Sequence, residues 1–168
     1  MNRLLRILRH RLLDERHARR VIGPSGLARI QAAIASSETA HSGEIRVCIE
    51  AGLPLSYLWR NADARERAIA MFGKLGVWDT EANNGVLIYL LLADHRIEII
   101  ADRGLQRHVG DAGWRTIVDH LATACRAGRF EAGIIAAVAE VDSLLREHFG
   151  LATGQLNPDE LSNLPDVR

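Results

Sequence analysis

From Asn83 to Gly104 the chain reads NNGVLIYLLLADHRIEIIADRG, and the eight apolar residues from Val86 to Ala93 constrain the fold more than any other stretch. Eight residues fall far short of the roughly 20 needed to cross a bilayer as a helix. β-branched residues and leucines dominate the run, so it reads as a central strand covered on both faces. Asp94-His95 makes a short turn, and RIEIIADRG returns as its hairpin partner.

The flanking segments supply the cover. Leu27, Ile30, Ala33 and Ile34 fall on one face of a helix that opens at Gly23-Pro24-Ser25. In GEIRVCIEAG, Ile45, Val47 and Ile49 alternate with Glu44, Arg46, Cys48 and Glu50, which predicts a half-exposed or edge strand with a charged face. A helix follows with Asn61 as its cap and Ala64, Ala68, Met71, Phe72 and Leu75 inward. After the hairpin, a helix starting from Asp111 turns Trp114, Ile117, Val118, Leu121, Ala124 and Cys125 inward and ends at Gly128. A last helix, Phe130 to Phe149, carries Ile134, Ile135, Val138, Val141, Leu144 and Leu145 as its core stripe. The order predicts an α/β fold, a three-layer α/β/α sandwich with a small mixed β-sheet, built on one right-handed β-α-β crossover.

The chain divides into a basic amphipathic N-terminal helix (1–22), the α/β domain (23–149) and a tail (150–168) rich in polar residues and proline, expected to be poorly ordered or to wrap the domain. At 168 residues with 21 basic and 21 acidic side chains, it suits one domain with no global pull toward nucleic acid. The first twenty residues nevertheless hold seven arginines. Leu4, Leu8 and Leu12, with Leu5 and Leu13, make an apolar stripe that either packs on the domain, the commoner use, or lies on anionic lipid headgroups. The arginines interrupt any signal-like apolar core, and Cys48 and Cys125 lack metal-type spacing. These features point to a reducing, cytoplasmic setting, with peripheral contact at the inner membrane through residues 1–20.

P-loop, G-x-S-x-G, H-E-x-x-H, C-x-x-C and dinucleotide signatures are absent. A polar constellation remains at the strand ends. The antiparallel hairpin returns Asp102 and Arg103 to the edge where Asn83 and Asn84 lie, with Asp79 and Glu81 just before and His108 and Asp111 just after. Asp79, Asn84, Asp102 and Asp111, then Glu81 and Asn83, are candidate oxygen ligands for Ca²⁺ or Mg²⁺. The same residues also serve commonly as helix caps, turns and ion pairs. Arg103 and His108 are the catalytic candidates, as a phosphate clamp and a proton donor. His95 reads as a solvated turn residue, His41 as a helix terminator, and Trp78 and Trp114 as core aromatics.

NNGVLIYLLLADHRIEIIADRGL, then VGDAGW and RAGRFEAGIIAAV, resembles the TPM domain family over roughly Leu27 to Phe149. The Asn-Pro-x-Glu-Leu element at Asn157 to Leu161 is similar to one in its compact bacterial branch. The resemblance implies a three-layer α/β/α fold, a divalent-metal cleft and a disputed phosphatase activity. Asn83 stands where many members carry aspartate, and Asp102-Arg103 replaces a usual Gly-Tyr. Three functions follow as expectations. The first is a non-enzymatic, metal-modulated interaction domain at a membrane or with a protein partner. The second is a metal-dependent phosphatase acting on phosphate monoesters, and the third is a metal-independent assembly module.

Overall fold

The computed structural model describes residues 3–152, 154–157 and 159–168. In chain order the elements are α1 (Arg3–Leu12), α2 (Glu15–Ile22), α3 (Pro24–Ser37), β1 (Ile45–Glu50), α4 (Leu55–Trp59), α5 (Ala64–Lys74), β2 (Val86–Leu91), β3 (Arg96–Ala101), α6 (Arg103–Arg126), α7 (Phe130–Phe149) and β4 (Asp166–Val167). The four strands lie in the order β3-β2-β1-β4. β1 runs parallel to β2 with Ile45 opposite Val86, and β3 returns antiparallel with Ala101 opposite Val86.

The apolar run becomes a strand because both its faces are covered. Val86, Ile88 and Leu90 join Ile45, Val47 and Ile49 against Ile30, Ile34, Leu121 and Val138 of α3, α6 and α7. Leu87, Tyr89 and Leu91 point the other way and, with Cys48, meet Leu58, Ala68 and Met71 of α4 and α5. The result is the expected three-layer α/β/α arrangement around a mixed sheet. The core stripe of α7 is as read, with Ile134, Val138, Val141 and Leu145 fully inside.

Several local readings are corrected. β1 is buried along its whole length, because the tail adds β4 in parallel beside it. The charged face of β1 therefore meets the tail: the Arg46 guanidinium donates to the Leu164 carbonyl at 3.1 Å, and Ala51 N–H donates to the Arg168 carbonyl at 2.7 Å. A short helix, α4, precedes α5, whose cap is Asp63 and not Asn61; the Asp63 carboxylate accepts from Glu66 N–H at 2.8 Å. The helix read from Asp111 does start there, after the non-helical Gly110 (φ 66°, ψ 173°), but α6 also includes an unread helical stretch from Arg103 before that kink. Trp114 is core, whereas Trp78 is exposed.

The basic N-terminal segment is two helices. Asp14 breaks it and caps α2, its carboxylate accepting from His17 N–H at 2.9 Å. Ala18 and Ile22 put α2 into the core. α1 lies the opposite way round from the packed-stripe reading, with its leucines out. Its buried residue is His10, which with Arg6 reaches the hairpin turn at Asp94.

His41 is a buried link after α3, not a plain terminator. Its Nδ1 accepts from Gly43 N–H at 3.2 Å, so Nε2 carries the hydrogen, 3.0 Å from Ser37 Oγ. The ring is neutral in this arrangement, and burial depresses its pKa below the usual 6.5. A histidine whose folded pKa is depressed contributes stability that is present above 6.5 and is lost as pH falls through that value toward the folded pKa. Urea unfolding should show wild type losing stability more steeply than His41→Gln as pH falls below that point. Equal slopes would remove His41 from this role.

Candidate functional site

The hairpin brings two polar groups to one sheet edge, as the strand direction requires. Gly104 N–H donates to the Asn83 carbonyl and Asp102 N–H to the Gly85 carbonyl, each at 2.9 Å. The approach is close enough to demand glycine: a Cβ on Gly104 would lie 2.3 Å from the Asn83 oxygen, and one on Gly85 2.0 Å from the Val77 oxygen. Asn84 is fully buried, its amide donating to Ser42 Oγ at 3.1 Å, while its Oδ1 has no partner. Asp102 caps α6, with Oδ1 accepting from Arg103 N–H at 2.6 Å and Oδ2 buried and unpartnered.

The other candidates do not join them. Asp79 and Glu81 are exposed in the loop before β2, and Asn83, also exposed, reaches the edge with its backbone carbonyl. Asp111, beyond the Gly110 kink, accepts from Gln106 and lines a separate groove of about 400 Å³ between β3 and α6, with Arg96, Glu98 and Trp114. Arg103 and His108 stand five positions apart on a helix, roughly 140° around its axis. His108 instead stacks on His148, ring centroids 4.4 Å apart. Among the described residues, no three converging carboxylate, imidazole or thiol groups include Asp79, Glu81, Asp102 or Asp111.

A different acidic group does converge. Glu38, Glu44 and Asp159 place one ligand oxygen each within 4.8 Å of one another, an arrangement that could hold a metal ion. Glu38 follows α3, Glu44 precedes β1, and Asp159 comes from the tail. Val86 N–H donates to the Glu44 carbonyl, which puts this group at the β1–β2 edge near Asn84. Glu44 is fully buried and accepts from Glu160 and Leu161 N–H, both at 3.2 Å, so it fastens the tail to the sheet. Glu38 Oε1 accepts from Ile45 N–H at 3.0 Å; its Oε2 is buried without a partner.

Burial makes this cluster unfavourable when fully ionised. It pushes Glu38 up to about 8 and raises Glu44 as well. Arg46 is the nearby cation, but its guanidinium donates to the Leu164 carbonyl and its Nε is unpartnered. Asn163 Oδ1, beside Asp159, is another buried oxygen without a donor. The donors are all oxygens, a set suited to a hard cation and not to zinc. Beside the cluster, Ser42, Glu81 and Ala82 with Leu151, Gln155, Leu156 and Glu160 of the tail border an open cleft of about 520 Å³.

Sequence reasoning missed this group because Glu38 sits in a polar helix end and Glu44 on a strand face that looks solvated. The only local signal is the Asn-Pro-x-Glu-Leu element, whose residues Asn157 and Asp159 to Leu161 surround the cluster; Pro158 lies outside the described residues.

A parallel β1–β2 pair with an antiparallel hairpin strand, helices on both faces and oxygen-rich groups at one sheet edge define a class of small α/β domain. The family model described as TPM domain matches residues 17–144, and the chain belongs to that family. Among solved structures it is similar to BA42 from the psychrophilic bacterium Bizionia argentinensis, with 27% identity and a TM-score of 0.74 over 86% of this chain and 94% of that one. It also shares its fold with the N-terminal domain of a P. gingivalis protein, at 19% identity and a TM-score of 0.63 over 79% of this chain and 83% of that one. No curated protein matches it significantly.

Proposed function

We propose that this TPM domain is a non-enzymatic interaction domain whose shape is modulated by a divalent cation, Ca²⁺ or Mg²⁺, at Glu38, Glu44 and Asp159. The unpartnered Oε2 of buried Glu38, set against two further carboxylates, carries the reading: a hard cation would supply the charge that Arg46 leaves unmet. Because Asp159 belongs to the tail and Glu44 holds the tail backbone, a bound cation would tie the C-terminal segment to the sheet. Cation occupancy would then decide how firmly that surface is presented. The phosphatase alternative draws less support, since Arg103 and His108 stand roughly 140° apart on their helix and His108 stacks on His148.

Thermal melting of the full chain with and without millimolar Ca²⁺ or Mg²⁺ tests the idea. A ligand at about 100 times its Kd adds roughly 2.7 kcal/mol, equivalent to a rise of some 5–10 °C for a domain this size. Asp159→Asn should abolish the rise and Asp102→Ala should not. The reverse pattern moves the cation to the Asn84–Asp102 pair, and no rise with either ion removes the cation from the function.

A further inference from the structure

α1 docks on the domain by its polar edge. Arg6 donates to Asp94 at 2.8 Å and His10 Nε2 lies 2.9 Å from the other Asp94 oxygen, while Ile7 packs against the core beneath α4 and α5. This orientation turns Leu4, Leu5, Leu8 and Leu12 to solvent, from 55% exposed at Leu8 to 74% at Leu12. They span an arc of roughly 100° on the helix, with Arg9 on one border and Arg11 on the other. At the neighbouring α4, Trp59 is 67% exposed and Leu55 44%, and Arg3 ties the two helices by donating to the Trp59 carbonyl. An apolar surface held outward by specific polar anchors marks an interaction site.

We infer that the α1–α4 corner docks on an anionic lipid bilayer, with the four leucines and Trp59 entering the headgroup–acyl boundary and Arg9 and Arg11 reaching the phosphates. Charge selects this occupant. α1 carries four arginines and no acidic residue, and exposed Arg16 and Arg20 follow in α2. A second copy of the chain would set these arginines against their equivalents, whereas an anionic surface neutralises them. Ten residues of helix, roughly 15 Å, are too short to cross a membrane, and among the described residues no helix is long and apolar enough to do so. The helix therefore lies in the plane of the interface, where leucines insert and the flanking arginine stems extend to the headgroups. The inference stands on residues remote from the acidic cluster and is independent of any cation there.

Sedimentation of the full chain with phosphatidylglycerol–phosphatidylcholine vesicles is the test, with pure phosphatidylcholine as reference. Binding is expected to the anionic vesicles and to weaken with salt. Leu8→Glu and Leu12→Glu should each reduce it at least about tenfold, the worth of one inserted leucine, and Arg9→Gln with Arg11→Gln should reduce it on anionic vesicles. Leu8, Arg11 and Leu12 are exposed and Arg9 is half-buried, with no core role, so the variants should keep a melting temperature close to wild type, which shows that they remain folded. Three results would overturn the inference: no binding to anionic vesicles at low salt, undiminished binding by the leucine variants, or a stable dimer in light scattering that Leu8→Glu dissociates.

Discussion

Glu50→Ala is expected to lower the unfolding free energy by about 3–5 kcal/mol, a large part of what a domain this size has. Glu50 lies inside the sheet on β1, 3% exposed. Its two oxygens take the Arg67 guanidinium at 2.6 and 2.9 Å and the Tyr89 hydroxyl at 2.7 Å. Arg67 is itself mostly covered, its guanidinium 5.0 Å from the centre of the Tyr57 ring. Removing the carboxylate strands a buried cation and a buried hydroxyl without acceptors, and it is this desolvated remainder that costs, more than the loss of the pair itself. The double variant Glu50→Met, Arg67→Met removes both charges and should recover most of the loss. Urea unfolding of the single and double variants measures this. A loss for Glu50→Ala within about 1 kcal/mol, as for an exposed pair, would show that water reaches the group.

How far the sequence could be read depended on whether a residue's partners lay nearby in the chain. β2 was legible because eight apolar residues bracketed by turns have few other fates, and α7 because its inward residues recur at the helical period. The meeting of Asn83 and Asn84 with Asp102 followed from the hairpin alone. Asp111 was assigned to that edge by proximity in sequence, but the left-handed Gly110 turns the chain and sends it into another groove. β1 misled for a different reason: alternating charges ordinarily mean solvent, yet here Glu44, Arg46 and Cys48 each bond to a tail that starts more than a hundred positions later. The acidic cluster was illegible on the same ground, since Asp159 reaches it only through that wrap. Leucines spaced by four in α1 made burial the default reading. What reversed it were polar anchors far along the chain, among them the Asp94 carboxylate in the hairpin turn, 84 positions from His10.

Asp94→Ala should therefore release α1 while leaving the sheet intact. Burial alone would raise the Asp94 pKa, but the hydrogen bonds from Arg6 and His10 outweigh it and hold the carboxyl below its ordinary range, so it is ionised at neutral pH. His10 cannot be replaced by a nearby donor: its Nδ1 accepts from Leu53 N–H at 2.9 Å, which fixes the tautomer and aims Nε2–H at Asp94. With the carboxylate gone, the buried His10 imidazole loses its acceptor and the mostly covered Arg6 guanidinium keeps only the Ala62 carbonyl and Asn61 Oδ1, while the outward leucines give α1 almost no apolar burial to compensate. Ile7 is the remaining apolar contact of the helix. The free energy of α1 opening should fall by about 1–3 kcal/mol, with Arg3 to Trp59, Arg6 to Ala62 and His10 to Leu53 left as its polar anchors. Hydrogen exchange would register this as lost protection over residues 3–12, with protection in β1 and β2 unchanged. Asp94→Asn keeps an oxygen for His10 but weakens the hold on Arg6, so its effect should be intermediate. Protection in α1 that survives Asp94→Ala would mean that the helix is held by its packing and not by this carboxylate.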